Sequence, residues 1–149
     1  MSEAPDRPDR KVIYEPIDHT ADAGMWIYGR DRAELFAHAA WALFDLISDA
    51  ETIRSRQSMT ITIDEAIDWE DLLVRWLSEL LYLYDTERFL CGSASLTALS
   101  STQLTAQVQG ECFDPARHPI DTEIKAVTYH QITVEPCDTG WRARVIFDV

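Results

Sequence analysis

The stretch Asp68–Asp85, DWEDLLVRWLSELLYLYD, is the segment on which the predicted fold class depends. Its apolar residues recur at three- and four-residue intervals, which is the spacing of one face of an α-helix. An apolar stripe this wide must be buried by other elements of the fold, so we expect it to belong to the core rather than to an open binding groove. The stripe consists of Trp69, Leu72, Leu73, Trp76, Leu77, Leu80, Leu81 and Tyr84.

A second helix is predicted over residues 31–47. Asp31 is suited to cap its first turn, and Glu34 stands three positions later, as in a capping box. Ser48 and the two residues after it are expected to end the helix. The predicted buried face consists of Leu35, Ala39, Ala42, Leu43 and Leu46.

The remaining segments are rich in β-branched and aromatic residues, which favour strands. Gly110 lies inside one of them and suggests a bulge or bend, and Asp138-Thr139-Gly140 suggests a hairpin turn. Short strands with two helices predict an α+β, two-layer fold in which both helices pack on a mainly antiparallel sheet. The predicted strands are 11–16, 25–28, 58–63, 95–99, 103–113, 124–134 and 141–149.

The composition is that of a globular protein with one domain. The chain has 149 residues, of which 46% are hydrophobic and 26% charged. We expect residues 1–10 to be a disordered tail and residues 11–149 to form the domain. With 13 basic and 26 acidic residues the net charge is −13. Direct binding to nucleic acid or anionic lipid is therefore not expected, whereas cations or a basic protein surface suit the chain.

The three cysteines show no CxxC spacing and predict neither a disulfide framework nor a zinc site. We expect all three to be reduced and at least partly buried. The N-terminal residues lack the apolar stretch of a signal peptide, and no apolar run is long enough to span a membrane. These features predict a cytoplasmic protein.

The segment Ile17–Gly24, IDHTADAG, concentrates polar side chains between two predicted strands. Asp18, Thr20 and Asp22 carry side-chain oxygens that could converge on a cation. The alternative is a tight turn in which Asp18 and Thr20 bond to nearby backbone amides. His19 is equally compatible with a hydrogen-bonded turn.

The last predicted strand places a second carboxylate at the chain end. Its alternation puts Trp141, Ala143, Val145, Phe147 and Val149 on the core face and Asp148 on the opposite face. Asp148 and the carboxylate of Val149 are like charges that need water, a base or a cation nearby. If Asp22 lay beside them, the all-oxygen site would suit calcium or magnesium; a solvated chain end is the alternative.

A third group of polar residues lies between Glu111 and His130. The pairs Asp114-Pro115 and His118-Pro119 predict an exposed loop. Lys125, Thr128 and His130 fall in the strand predicted over 124–134, with Lys125 and His130 on opposite faces. Two of these residues could form a general acid–base pair, but exposed polar side chains on the surface of a sheet are the simpler interpretation.

Five blocks in order make the chain resemble the archease family, over about residues 14–149. Any one block is a weak match, whereas five in the same order are specific. The blocks are IDHTADAG, ALFDLISD (42–49), DWEDLLVRWLSELLYL (68–83), HPIDTEIKAVTYH (118–130) and the terminal Phe-Asp-Val.

The resemblance implies a function that the residue patterns alone do not. Archeases activate the RtcB-type RNA ligase of tRNA splicing and RNA repair by promoting its guanylylation and multiple turnover. They carry a calcium-type metal site whose ligands correspond here to Asp22, Asp148 and a terminal or main-chain oxygen of Val149; magnesium and manganese are alternatives. Residues expected to support the site or contact the partner are Asp18, His19, Thr20, His118, Lys125, Thr128 and His130.

The resemblance implies an activator protein rather than an enzyme. Two other functions remain open from the residues. A metal-dependent phosphoesterase could use the same carboxylates with His19 or His118 as acid–base. A chaperone-like binding module could hold a purely structural ion.

Overall fold

The computed structural model describes residues 13–17 and 23–149. The tail predicted over residues 1–10 lies outside the described residues, as do Lys11 and Val12 of the first predicted strand. The polar residues Asp18, His19, Thr20 and Asp22 also lie outside them. The fold below is built from the remaining residues.

Helix α1 spans Arg32–Ile47 and begins as predicted. Asp31 is the N-cap, and its carboxylate accepts the Glu34 N–H at 2.8 Å. Glu34 bonds back to the N–H of Arg30 at 2.8 Å, one residue earlier than in a standard capping box. The buried face is wider than the predicted stripe, because α1 contacts strands in both sheets of the fold, but the predicted burial of Leu46 is wrong, since it is only half-buried. The buried face comprises Leu35, Phe36, Ala39, Ala40, Ala42, Leu43, Phe44 and Ile47.

Helix α2 spans Trp69–Glu87 and contains the stripe that opened the sequence analysis. Asp68 caps its N-terminus by accepting the Asp71 N–H at 2.8 Å. Arg88 ends it in the left-handed region, with φ 58°. Every residue of the predicted stripe except the half-buried Trp69 is buried, so its assignment to the core is confirmed. The Trp76 indole N–H donates to the Phe36 carbonyl at 2.9 Å and ties the two helices together.

The larger sheet has five strands, and all of its pairings are antiparallel. Its central strand β8 pairs with β2 on one edge and with both β6 and β7 on the other. The turn at 138–140 joins β7 to β8, as predicted, and Gly140 has φ 136°, which a residue with a side chain rarely adopts. The strands are β1 Tyr14–Ile17, β2 Ala23–Gly29, β6 Ala126–Val127, β7 Thr133–Cys137 and β8 Gly140–Asp148.

The smaller sheet has three antiparallel strands in the order β3-β5-β4. The irregularity expected at Gly110 lies instead in β4, where the register shifts between Cys91 and Ser93. Gly110 faces this bulge, and a Cβ there would overlap the Leu90 carbonyl oxygen. The strands are β3 Gln57–Ile63, β4 Phe89–Leu99 and β5 Leu104–Cys112.

The α+β class with helices on antiparallel sheets is confirmed. The strands divide into two sheets, and α1 joins them by packing on β2 of one and β4 of the other. A 3-10 turn over Ala50–Thr52 follows α1. No helix in the described part of the chain is long and apolar enough to cross a membrane.

All three cysteines are free, but they differ in exposure. Cys91 is buried, and this burial raises the pKa of its thiol to about 12. Cys137 is half-buried. Cys112 is exposed, so the expectation of at least partial burial is wrong there, because its side chain lies on the outer face at the end of β5.

Candidate functional site

The start of β2 and the end of β8 lie side by side in the larger sheet. The register pairs Ala23 with Phe147, so the residue that follows Asp22 in the chain lies opposite the residue that precedes Asp148. On the other edge of β8, Ala126 pairs with Asp148. The sequence could not establish that these distant segments meet, and the antiparallel ladder now brings them together.

Asp148 and Val149 present oxygen atoms at this end of the sheet. Phe147 is fully buried and anchors the strand, whereas Asp148 is exposed. Val149 is 39% exposed, so the prediction that it faces the core is wrong. The reason is that β8 ends at Asp148, and the alternation of a strand does not extend beyond its last paired residue.

The donor atoms described at this end are of the type that a hard cation prefers, but the described residues supply too few of them to hold one. A carboxylate and a main-chain oxygen are the ligands that calcium and magnesium prefer. No three histidine, cysteine, aspartate or glutamate residues converge on a possible metal position within 13–17 and 23–149. Because Asp18, His19, Thr20 and Asp22 fall outside those ranges, their predicted roles stay predictions.

The strand predicted over 124–134 is wrong for most of its length. Strand β6 has two residues, Ala126 and Val127, and a turn then leads into β7. Lys125 precedes β6 and His130 lies in the turn, so the face assignment by alternation does not apply to either residue. Both are exposed.

Lys125 and Thr128 fasten this short segment to the edge of β8. The Lys125 N–H donates to the Asp148 carbonyl at 2.8 Å. The Thr128 N–H and hydroxyl both donate to the Ile146 carbonyl, at 3.1 Å and 2.8 Å. The His130 N–H in turn donates to the Thr128 hydroxyl at 3.3 Å. Lys125 is therefore held next to the backbone of Asp148, while Thr128 has a structural role.

His118 is buried, so the predicted exposure of this loop is wrong at His118, although its neighbours Asp114 and Pro119 are exposed. Its side chain has no exposed surface. The Asp114 N–H can only donate, so Nδ1 accepts it at 2.8 Å. The proton then resides on Nε2, which donates to the Glu111 carboxylate at 3.0 Å. With both nitrogens engaged and no access to solvent, His118 is not placed to act as an acid–base on a bound ester.

Glu111 is the residue that the sequence analysis missed. It is 4% exposed and accepts the Arg54 N–H at 2.7 Å, in addition to bonds from His118 and Arg117. Burial by itself raises the pKa of the Glu111 carboxyl, but these donors outweigh that effect and lower it. The alternation of β5 predicts an exposed side chain at this position, so no sequence signal identified it.

The segment after His118 connects this buried network to the end of β8. The Pro119 carbonyl accepts the Ser48 hydroxyl, and the Asp121 N–H donates to the Ile47 carbonyl at 2.8 Å. Ile124 is buried immediately before Lys125. Residues 119–122 are therefore attached to the C-terminal end of α1, shortly before the chain reaches Lys125.

Comparison with known proteins identifies relatives over almost the whole chain. The model of the Archease protein family matches residues 14–149. Protein archease of Methanosarcina barkeri is 39% identical over 140 residues, covering 91% of this chain and 95% of the relative. Protein archease of Sulfolobus acidocaldarius is 35% identical, covering 91% and 98%.

Two solved structures share the fold. Protein 1598 of Methanobacterium thermoautotrophicum, determined in solution, is 32% identical with a TM-score of 0.71, and the match covers 91% of this chain and 98% of that one. A crystal structure from Thermotoga maritima, described as an archease and possible chaperone, has a TM-score of 0.59 at 21% identity, with coverage of 91% and 96%. At that identity the second structure supports the fold alone.

Proposed function

Because this chain belongs to the archease family, we propose that it activates an RtcB-type RNA ligase by promoting guanylylation of the ligase and its multiple turnover. In this role the chain is a protein cofactor in tRNA splicing and RNA repair, and the ligase performs the chemistry. The observation that carries the proposal is the pairing of Ala23 with Phe147. It brings together the two ends of the sequence on which the family's metal ligands are expected.

We further propose that Asp22, Asp148 and a main-chain oxygen of Val149 hold a divalent cation, calcium in preference to magnesium or manganese. Asp148 and Val149 support this because both are exposed at the C-terminal end of β8 and carry hard oxygen donors. When bound, the cation supplies positive charge that phosphate oxygens can approach. We propose that this end of the sheet enters the active-site cleft of the ligase, since Asp148 and Val149 are exposed.

Lys125 is proposed to contact the partner at the same position. Its backbone is bonded to Asp148, and its side chain is exposed. An ammonium group beside a carboxylate-rich site can bind a nucleotide phosphate or an acidic residue of the ligase. His130 lies five residues further on and is exposed, so it remains a candidate for a peripheral contact.

The test is guanylylation of a purified RtcB-type ligase from the same source, measured with labelled GTP. The native chain is added at a low ratio to the ligase, beside the variants Asp22→Ala and Asp148→Ala. Asp138→Ala is the matched control, because Asp138 is an exposed aspartate in the turn at the opposite end of β8. We expect strong stimulation by the native chain and the control, and its loss in both test variants.

Two outcomes would contradict the proposal. Absence of stimulation at any ratio would remove the activator role and leave hydrolysis of a phosphate ester as the next activity to assay. Full stimulation by folded Asp22→Ala and Asp148→Ala proteins would instead retain the activator role and reject the metal site as its basis. Calcium binding, measured by calorimetry on the same variants, separates these outcomes without relying on ligase activity.

A further inference from the structure

The loop between β3 and α2 presents an exposed isoleucine on a fixed backbone. Ile67 is 80% exposed, although the residue before it, Ala66, is buried. The Ala66 N–H donates to the Thr102 carbonyl at 3.0 Å, and the Ile67 N–H donates to the Asp71 carboxylate at 3.0 Å. The loop thus holds an apolar side chain in water on a hydrogen-bonded backbone, and a second exposed residue held at the same place makes this a candidate contact surface.

A tyrosine is held beside the same carboxylate. Tyr129, in the turn after β6, is 57% exposed, and its hydroxyl donates to Asp71 at 2.6 Å. Asp71 itself is buried and also accepts the Arg75 side chain at 2.9 Å. One buried carboxylate therefore fixes both exposed apolar residues, Ile67 through its backbone and Tyr129 through its hydroxyl. Such pre-ordering reduces the entropy that binding would otherwise cost.

The surroundings of Ile67 carry negative charge. The loop and first helical turn over residues 64–71, DEAIDWED, contain five acidic residues and no basic residue. Asp64, Glu65 and Asp68 are exposed. A second copy of this chain would bring the same acids face to face, which is unfavourable. A partner with basic side chains around an apolar pocket is complementary in both charge and polarity.

This surface is close to the proposed metal site. Tyr129 directly follows Thr128, which is bonded to Ile146 of β8. Tyr129 is three positions after Ala126, the partner of Asp148, which is a span of at most about 11 Å. A protein that engages the end of β8 can therefore reach Tyr129 without a change in the fold.

We propose that Ile67 and Tyr129, with the acidic rim of Asp64 and Glu65, form a docking surface for a basic protein surface that has an apolar pocket. Under the proposed function this partner is the RNA ligase, and the assignment of the partner rests on that function. The docking surface contributes affinity, whereas the Asp148 end contributes activation. The docking surface should therefore control the Kd, and the Asp148 end should control the guanylylation rate at saturation.

The experiment titrates this protein into the ligase and records both the Kd and the guanylylation rate at saturation. Ile67→Ser and Tyr129→Ala are expected to raise the Kd about tenfold or more, with the saturating rate unchanged, because buried apolar and aromatic anchors dominate interfaces. Tyr82→Ala is the matched control, since Tyr82 is 59% exposed on the later turns of α2. It should leave both quantities unchanged.

The acidic rim is tested through the association rate. The double variant Asp64→Asn, Glu65→Gln should associate several-fold more slowly than the native chain at about 50 mM salt, and the difference should vanish at about 500 mM. Equal rates at low salt would overturn the electrostatic part of the proposal. Neither residue caps a helix, so the substitutions leave the fold intact.

The outcomes separate this proposal from the proposed function. Tight binding by the native chain that is unaffected in both Ile67→Ser and Tyr129→Ala overturns the docking surface alone. Binding that weakens in these variants, without any activation by the native chain, supports the surface and overturns the activator role. No binding by the native chain overturns both. Dimerisation of the native chain that Ile67→Ser abolishes would identify a second copy as the occupant, contrary to the proposal.

Discussion

Replacement of Glu111 by alanine tests whether the buried network holds the segment that leads to Lys125. Removing the carboxylate leaves the Arg54 N–H and the His118 Nε2–H without their acceptor. A buried donor that loses its acceptor costs about 1–3 kcal/mol, so two such donors cost about 2–6 kcal/mol. The Arg117 and Arg56 side chains are 27% and 61% exposed, so water can replace their interactions with Glu111.

The expected loss in the free energy of unfolding is therefore about 2–6 kcal/mol. An unfolding entropy of about 2.1 cal/mol/K per residue gives about 0.3 kcal/mol/K for 149 residues. The Tm of Glu111→Ala should then fall by about 6–19 °C in a calorimetric melt at neutral pH. Glu123→Ala is the matched control, because Glu123 is an exposed glutamate of the same segment, and its Tm should stay close to that of the native chain.

A fall of less than about 3 °C would refute the reasoning, since it corresponds to about 1 kcal/mol and would mean that water satisfies the abandoned donors. A double-mutant cycle with His118→Ala identifies the pair responsible. If Glu111 and His118 stabilise the fold through their shared bond, the double variant should lose at least about 1 kcal/mol less than the sum of the single losses.

Three further predictions concern other parts of the fold. Leu77→Ala should lower the free energy of unfolding by about 2–5 kcal/mol in a denaturant titration, because it opens a cavity in the face of α2 that is fully buried; an unchanged midpoint would mean that this face is not the core. Gly110→Ala should lower the Tm, because a Cβ would overlap the Leu90 carbonyl oxygen opposite the β4 bulge; a stability equal to that of the native chain would show that the bulge can relax. The hydrogen bond from Tyr129 lowers the pKa of Asp71, so the stability that Asp71 contributes is present above its usual pKa of about 3.9 and is lost as the pH falls below it. Acid unfolding should accordingly begin at a higher pH in Tyr129→Phe, and an identical acid transition would contradict the assignment.

The spacing of apolar residues in the sequence was sufficient to predict the helices and the longer strands. The stripe around Trp76 and Leu77 predicted both the extent and the buried face of α2, and Asp31 was correctly predicted to cap α1. These features are local, because capping and periodicity depend on residues within one or two turns. The same local rules failed at residues 124–134, where apolar residues contribute to two short strands and a turn rather than to one strand.

The candidate site could be predicted in part. The resemblance to a family pointed to Asp148 and Val149, and the described structure places both residues at the exposed end of β8 beside the start of β2, while their role as ligands stays a prediction. The roles of His118 and Glu111 could not be predicted from the alternation of apolar and polar residues. Alternation predicts only the face of a regular strand on which a side chain lies. Glu111 is buried at the end of β5 by residues from distant segments, among them Arg54 and Arg117.

Residue type and short-range spacing determined the fold class, the Asp31 cap, the buried face of α2 and the excess of negative charge. The resemblance of five ordered blocks to known sequences pointed to the family. Only the tertiary structure decided that Ala23 pairs with Phe147, that His118 is buried against Glu111, and that Ile67 and Tyr129 share the carboxylate of Asp71. Each of these contacts joins segments whose proximity depends on how the sheets and helices pack, and a buried polar group is stable only where that packing supplies its partners.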